Sequence, residues 1–322
     1  MSFIFTNLPH WSCVHLLVCT LSKMSKEVDI NALLPNLTAF MRSMYYIKQD
    51  INLDPRKDHI STCINRNDTL EVREDFIRAM VSSVIRYVYS KEHQDYLIRS
   101  FHNYGHDEQD IALQIFDKAK MKFRSYDIKG QFTELLLYNL LIYHFKAIPL
   151  VRKMSLTTNP SVERHGSDAI HIAKDDNGKY VLYLGEAKTY ESGFKPAIKA
   201  ALKSITKSFT DHRAELNLYS YDKFIPQELE EIAQDYMENF DSEDIEVHLV
   251  CIITYEAGDE VKGVKKDALK KIIDSIGEAC RTIGKKDYPE IDEVVKSRIN
   301  YIIFPVHKLD ELLSSFKIKL GI

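Results

Sequence analysis

Two alternating apolar runs, Ala169–Lys174 (Ala-Ile-His-Ile-Ala-Lys) and 179–188 (Lys-Tyr-Val-Leu-Tyr-Leu-Gly-Glu-Ala-Lys), are split by Asp175-Asp176-Asn177-Gly178. Period-two alternation bounded by turn residues predicts a β-hairpin. Its register decides which side chains meet. A three-residue loop, Asp176-Asn177-Gly178 with Gly178 left-handed, sets Asp175 against Lys179 and, counting back, Asp168 against Glu186. A two-residue Asn177-Gly178 turn would pair Asp168 with Ala187 and send it to the other face from Glu186. In the first register Ile170, Ile172, Leu182 and Leu184 share a face with both acids, and Lys188 joins them at one end.

That register gathers two carboxylates and a lysine at the end of an otherwise apolar sheet face. Paired carboxylates hold hard divalent cations such as Mg²⁺. Such cations cut phosphodiesters by activating water and polarising the phosphoryl oxygen. A lysine beside them positions water and offsets charge. The three-residue loop is therefore expected. Acid-x-Lys triplets alone are common and mostly mark solvated strand ends. Here Asp168 sits at hairpin distance, the apolar run 181–184 leads straight into Glu186, and a third acid, Glu134, lies upstream. Glu134 is expected in the first turn of a helix that begins after Lys129-Gly130. That helix is apolar nearly all round, so it reads as buried core. An acid in its first turn also suits the helix dipole with no catalytic role.

Downstream, 194–213 reads as a helix with Ile198, Ala201, Leu202, Ile205 and Phe209 on its core face. Lys195, Lys199, Lys203 and Lys207 recur every four residues along one exposed side. A lysine track beside a metal site could follow a phosphate backbone; a solvated helix face would look the same.

Gly166-Ser167-Asp168, the hairpin and Gly185-Glu186-Ala187-Lys188 resemble the PD-(D/E)XK nuclease superfamily, with Ser167 where many members carry proline. More narrowly, the 130–141 helix with Glu134, together with Gly185-Glu186-Ala187-Lys188-Thr189-Tyr190, resembles HamA, the nuclease subunit of the bacterial Hachiman anti-phage system. The resemblance covers residues 125–255. It implies Asp168, Glu186 and the carbonyl of Ala187 as ligands to Mg²⁺ or Mn²⁺. Lys188 would orient or help deprotonate the attacking water and stabilise the phosphorane. Glu134 would support the metal site or bind a second metal. A helicase partner, HamB, is also implied, restraining the nuclease until foreign or damaged DNA is sensed. Nothing in the composition shows that partner.

The element order from Gly130 matches a restriction-endonuclease-like core by fold-level analogy. The expected class is α/β, a mixed sheet flanked by helices, with a mainly helical N-terminal region. Three parts are expected: a dispensable apolar extension over 1–23, a helical region over 24–125, and the nuclease domain over 126–322. Within 24–125 the clearest helix spans 70–89.

With 322 residues and 45% apolar content, the chain can bury a sizeable core. Its net charge of −4 excludes a constitutively basic nucleic-acid binder, so contact with DNA, the expected substrate, rests on local patches and is non-specific in sequence. Five cysteines form no C-x-x-C pair, which fits reduced core residues and a cytoplasmic protein. His93, His102 and His106 lack zinc-motif spacing, and no Walker loop or serine elbow is present. No segment has the pattern of a membrane span. Two other classes remain open: a non-catalytic nucleic-acid-binding subunit, and a regulatory protein in which the triad is a buried ion-pair cluster.

Overall fold

The structure, a computed structural model, describes residues 29–126, 128–156, 166–220, 227–238 and 245–322. The expected extension at 1–23, with Cys13 and Cys19, lies outside these residues, as do the ends of the helix expected over 226–240.

Nine strands are described: β1 (Met44–Asp50), β2 (Asp58–Ile64), β3 (Arg66–Asn67), β4 (Leu70–Glu71), β5 (Ile148–Val151), β6 (Ala169–Lys174), β7 (Tyr180–Tyr190), β8 (Ile245–Glu256) and β9 (Ile299–Val306). Seven of them form one mixed sheet in the order β1-β2-β9-β8-β7-β6-β5, and β3 and β4 form a separate ribbon. The pairs β7–β8, β8–β9 and β9–β2 are parallel, while both ends of the sheet are antiparallel. The central strands are almost continuously apolar, as strands covered on both faces must be.

The helices are α1 (Thr38–Arg42), α2 (Arg73–Ser82), α3 (Val84–Val88), α4 (Lys91–Asn103), α5 (Glu108–Lys120), α6 (Ile128–Phe145), α7 (Phe194–Ser220), α8 (Gln227–Glu238), α9 (Lys265–Arg281), α10 (Glu293–Ser297) and α11 (Leu309–Leu320). Among the described residues none is long and apolar enough to cross a membrane.

Each sheet face has its own core. On one side α6 packs with α2, α3 and α11 around Phe76, Phe132, Leu136, Val250, Ile252 and Phe316. α6 is buried nearly all round, with Leu135, Leu136, Leu137, Leu140 and Leu141 fully covered. On the other side α7, α8 and α9 cover Ile170, Leu182, Leu184, Leu249, Cys251 and Ile253. Of the expected α7 stripe, Ile198, Ala201, Leu202 and Ile205 are fully buried and Phe209 is partly buried. Truncating one such leucine to alanine costs about 2–5 kcal/mol.

Three expectations change. The N-terminal region is helical, but it also supplies β1 and β2, so the sheet crosses the boundary expected near residue 125. The helix expected over 70–89 starts only at Arg73 and breaks at Ser83. There the hydroxyl donates to the Met80 carbonyl and accepts from Asn139 of α6, so a buried polar contact pins the break. Finally, α6 begins at Ile128 with Gly130 inside it, which moves Glu134 out of the first turn and weakens the dipole explanation for that acid.

Candidate active site

The hairpin closes through three residues. The Asp175 N–H donates to the Lys179 carbonyl at 2.8 Å, and the Gly178 N–H donates to the Asp175 carbonyl at 3.0 Å. Gly178 has φ +81°, the left-handed value the turn requires. The Asp175 carboxylate accepts from the backbone of Asn177 and Lys179, which fixes the loop. The ladder runs from Lys174 opposite Tyr180 to Ala169 opposite Gly185. The expected register is borne out through Ala169–Gly185. At Asp168 the backbone leaves the ladder: its N–H, which a continued strand would turn away from β7, donates to the Gly185 carbonyl at 3.0 Å.

Past Asp168 the β6 strand ends while β7 runs on. The Asp168 carboxylate takes over the edge and accepts the Ala187 N–H at 2.8 Å. A strand residue's N–H and C=O point to the same side, so the Ala187 carbonyl faces that opening too. Gly185 lets α6 approach closely: a Cβ there would lie 2.8 Å from Leu137 Cδ2.

On the α7 face Glu186 is 2% exposed. Lys188 Nζ ion-pairs with its Oε1, and Ser208 Oγ lies 3.5 Å from its Oε2. Glu134 comes from α6 and accepts the Tyr87 hydroxyl at 3.1 Å. Asp168, Ala187, Lys188 and Glu134 line one cavity of about 270 Å³.

Burial first, then Glu186 and Glu134, raise Asp168 well above the usual carboxylate range, against Lys188 and the Ala187 N–H. Asp168 keeps some surface open to the cavity, but its carboxylate lies deep. Burial alone would lower Lys188; the charges of Glu186 and Asp168 outweigh it, and Lys188 is held above the usual lysine value. Among the described residues no group of three or more Asp, Glu, His or Cys side chains is placed to hold a metal. The donors present are two carboxylates and a carbonyl oxygen. A hard divalent cation takes such oxygens.

One part of the site escaped the sequence reading. The buried stripe of α7 continues past Ile205 as Ser208, His212 and Glu215, all buried. Glu215 Oε2 accepts from Ser167 N and Oγ at 3.0 and 3.1 Å, and Lys153 ion-pairs with the same carboxylate. Lys153 also donates to the Ser167 carbonyl. Gly166 has φ +100°, and a Cβ there would fall on the Glu215 carboxylate. This polar cluster therefore anchors the residue next to Asp168. The signal was a core stripe turning polar at unbroken helical spacing.

The lysine track divides. Lys195 and Lys199 both ion-pair with Asp287, at 2.7 and 2.8 Å, and Lys195 also donates to the Thr282 carbonyl. Lys203 and Lys207 are exposed. Cys63, Cys251 and Cys280 are free and buried, and burial raises all three thiols. His93 stacks on Tyr89.

The seven-stranded mixed sheet flanked by helices defines an α/β protein, an architecture consistent with a nuclease-like fold. A family model described as HamA matches residues 40–320, and the chain belongs to the HamA family, a component of the Hachiman anti-phage defence system. No curated protein matches the chain.

Proposed function

We propose that this chain is a metal-dependent nuclease, the effector of its defence system, hydrolysing phosphodiester bonds of DNA with low sequence specificity. The observation that supports this reading is the neighbourhood of Asp168: its carboxylate accepts the Ala187 N–H, Lys188 ion-pairs with Glu186, and both charges act on Asp168. Asp168, Glu186 and the Ala187 carbonyl would hold Mg²⁺ or Mn²⁺. When bound, the cation supplies Lewis acidity toward the phosphoryl oxygen and makes water a stronger nucleophile.

The remaining steps belong to the chain. Lys188, with its raised pKa, stays protonated near neutral pH, so it orients water and offsets phosphoryl charge rather than acting as a base. Glu134 adds a third acid at the cavity wall. The Glu215–Lys153–Ser167 cluster keeps Asp168 at the strand edge, because a small displacement of a reacting group costs rate steeply. Exposed Lys203 and Lys207, with Lys195 and Lys199, would meet phosphates without reading bases. A helicase subunit is the proposed partner.

A second reading has its own support. Glu186 is buried and paired with Lys188, as in a purely structural ion pair. A gel assay on circular and linear DNA separates the two, run with Mg²⁺ and with EDTA, with and without the helicase subunit. Cleavage in Mg²⁺ alone supports the nuclease; no cleavage under any condition supports the structural pair.

A further inference from the structure

Two arginines beside the site carry charge that the described residues do not neutralise. Arg152 follows β5 and lines the cavity that holds Asp168 and Lys188. It also lines a neighbouring cavity of about 570 Å³, together with Arg86 of α3. Tyr138 lies in both linings. No ion pair joins Arg86 or Arg152 to a described residue, whereas Lys129, Lys153 and Lys188, which line the first cavity, each have a glutamate. At the second cavity Lys91 is paired with Asp95, and Glu92 is exposed.

The two arginines are held in place through the backbone. Arg152 Nε donates to the Arg86 carbonyl at 3.3 Å, and the Tyr138 hydroxyl donates to the same oxygen at 2.8 Å. Arg86 reaches the carbonyls of Asn36 and Ser82 only at 3.5 and 3.4 Å, and its Nε is buried with no hydrogen-bond partner among the described residues. Burial lowers the Arg86 pKa. A half-buried guanidinium without an acid is costly unless an anion meets it. Arginine forks match phosphate oxygens in geometry.

We propose that Arg86 and Arg152 form a phosphate-binding subsite for the nucleic-acid strand held at Asp168 and Lys188. The inference rests on the nuclease reading for its substrate and adds a path. A strand carries a phosphate at every nucleotide, so one seated at the acidic cluster presents its next phosphates to Arg152 and then to Arg86. The principal backbone contact thereby lies on the α3–β5 side of the sheet, away from the lysines of α7.

The test is binding of a fluorescein-labelled single-stranded DNA oligonucleotide, read by anisotropy across a NaCl series. It uses the full chain carrying Glu186→Gln, so that no cleavage intervenes, alone and with Arg86→Gln plus Arg152→Gln. The double variant should bind at least about tenfold more weakly at low salt, and its log–log salt slope should fall by about 1.4, at about 0.7 per lost contact on a single strand. Arg152→Gln alone should lose about 0.7 of slope; it is the deciding variant if Arg86→Gln does not fold. An unchanged affinity and slope in Arg152→Gln overturns the proposal, as does a parent chain that binds no oligonucleotide at 50 mM NaCl. Metal-dependent cleavage by the wild-type chain is scored separately. Its absence alongside an arginine-dependent slope would remove the nuclease and leave the subsite.

Discussion

Two carboxylate–lysine clusters lie against α7, and they have opposite electrostatics. At one, Asp287 meets Lys195, Lys199 and the Gly284 N–H. Pairing with the two lysines, then the Gly284 N–H, outweighs its burial and pushes its pKa far down. At the other, Glu186 ion-pairs with Lys188, and burial together with Glu186 and Glu134 pushes Asp168 up. The first cluster is complete, with lysines outnumbering the acid, and ties the 284–287 turn to α7. In the second, burial and two neighbouring acids outweigh Lys188 at Asp168. A fold that only needed an ion pair would build the first kind; the second kind is suited to a cation that comes and goes.

The sharpest way to break this comparison is to remove a lysine from the second cluster. Lys188→Ala should lower Mg²⁺-dependent cleavage by about 10³-fold, the scale of losing one preorganised charge at a reacting centre. Its unfolding free energy in urea should fall as well, because Lys188 is the ion-pair partner of a buried carboxylate. A purely structural pair would lose stability and show no Mg²⁺-dependent cleavage to lose.

Asp287→Asn should do the reverse. The melting temperature should fall, since two lysines and a backbone N–H lose their charged partner. Cleavage at saturating DNA should stay, and DNA affinity should rise as Lys195 and Lys199 are released to phosphates. A drop in catalytic rate without loss of fold would place Asp287 in the chemistry.

A smaller effect follows from Asp168. Its pKa is raised in the fold, so its contribution to stability is present below the unfolded value, near 3.9, and is lost as pH rises through the folded value. On the nuclease reading, a divalent cation bound at Asp168 would restore what deprotonation takes away. Mg²⁺ at ten times its dissociation constant adds about 1.4 kcal/mol. The melting temperature should then rise by a few degrees at pH 8 and less at pH 5.5, where protons compete. Equal shifts at both values would show that Mg²⁺ binds elsewhere.

The hairpin was legible because everything that fixes it is local: the Asp175 carboxylate, Gly178, and alternation on both sides. So was α7, whose apolar stripe has helical spacing. What stayed hidden depended on partners distant in sequence. Glu215 reaches Ser167 across 48 positions, and nothing near Lys195 announces Asp287. The start of α6 was misjudged because Gly130 reads as a boundary, while packing carried the helix through it. Charge spacing on a helix shows which side chains are neighbours; it does not show which of them a distant acid has already engaged.

The central claim is that the second cluster is catalytic. Its most direct test is supercoiled plasmid incubated in Mg²⁺ with the wild-type chain and with Glu186→Gln, both confirmed folded by circular dichroism and both supplied with the proposed helicase partner. The account predicts nicked or degraded plasmid from the wild type, none in EDTA, and intact plasmid from Glu186→Gln. Equal cleavage by the two proteins, or none by either, would contradict it.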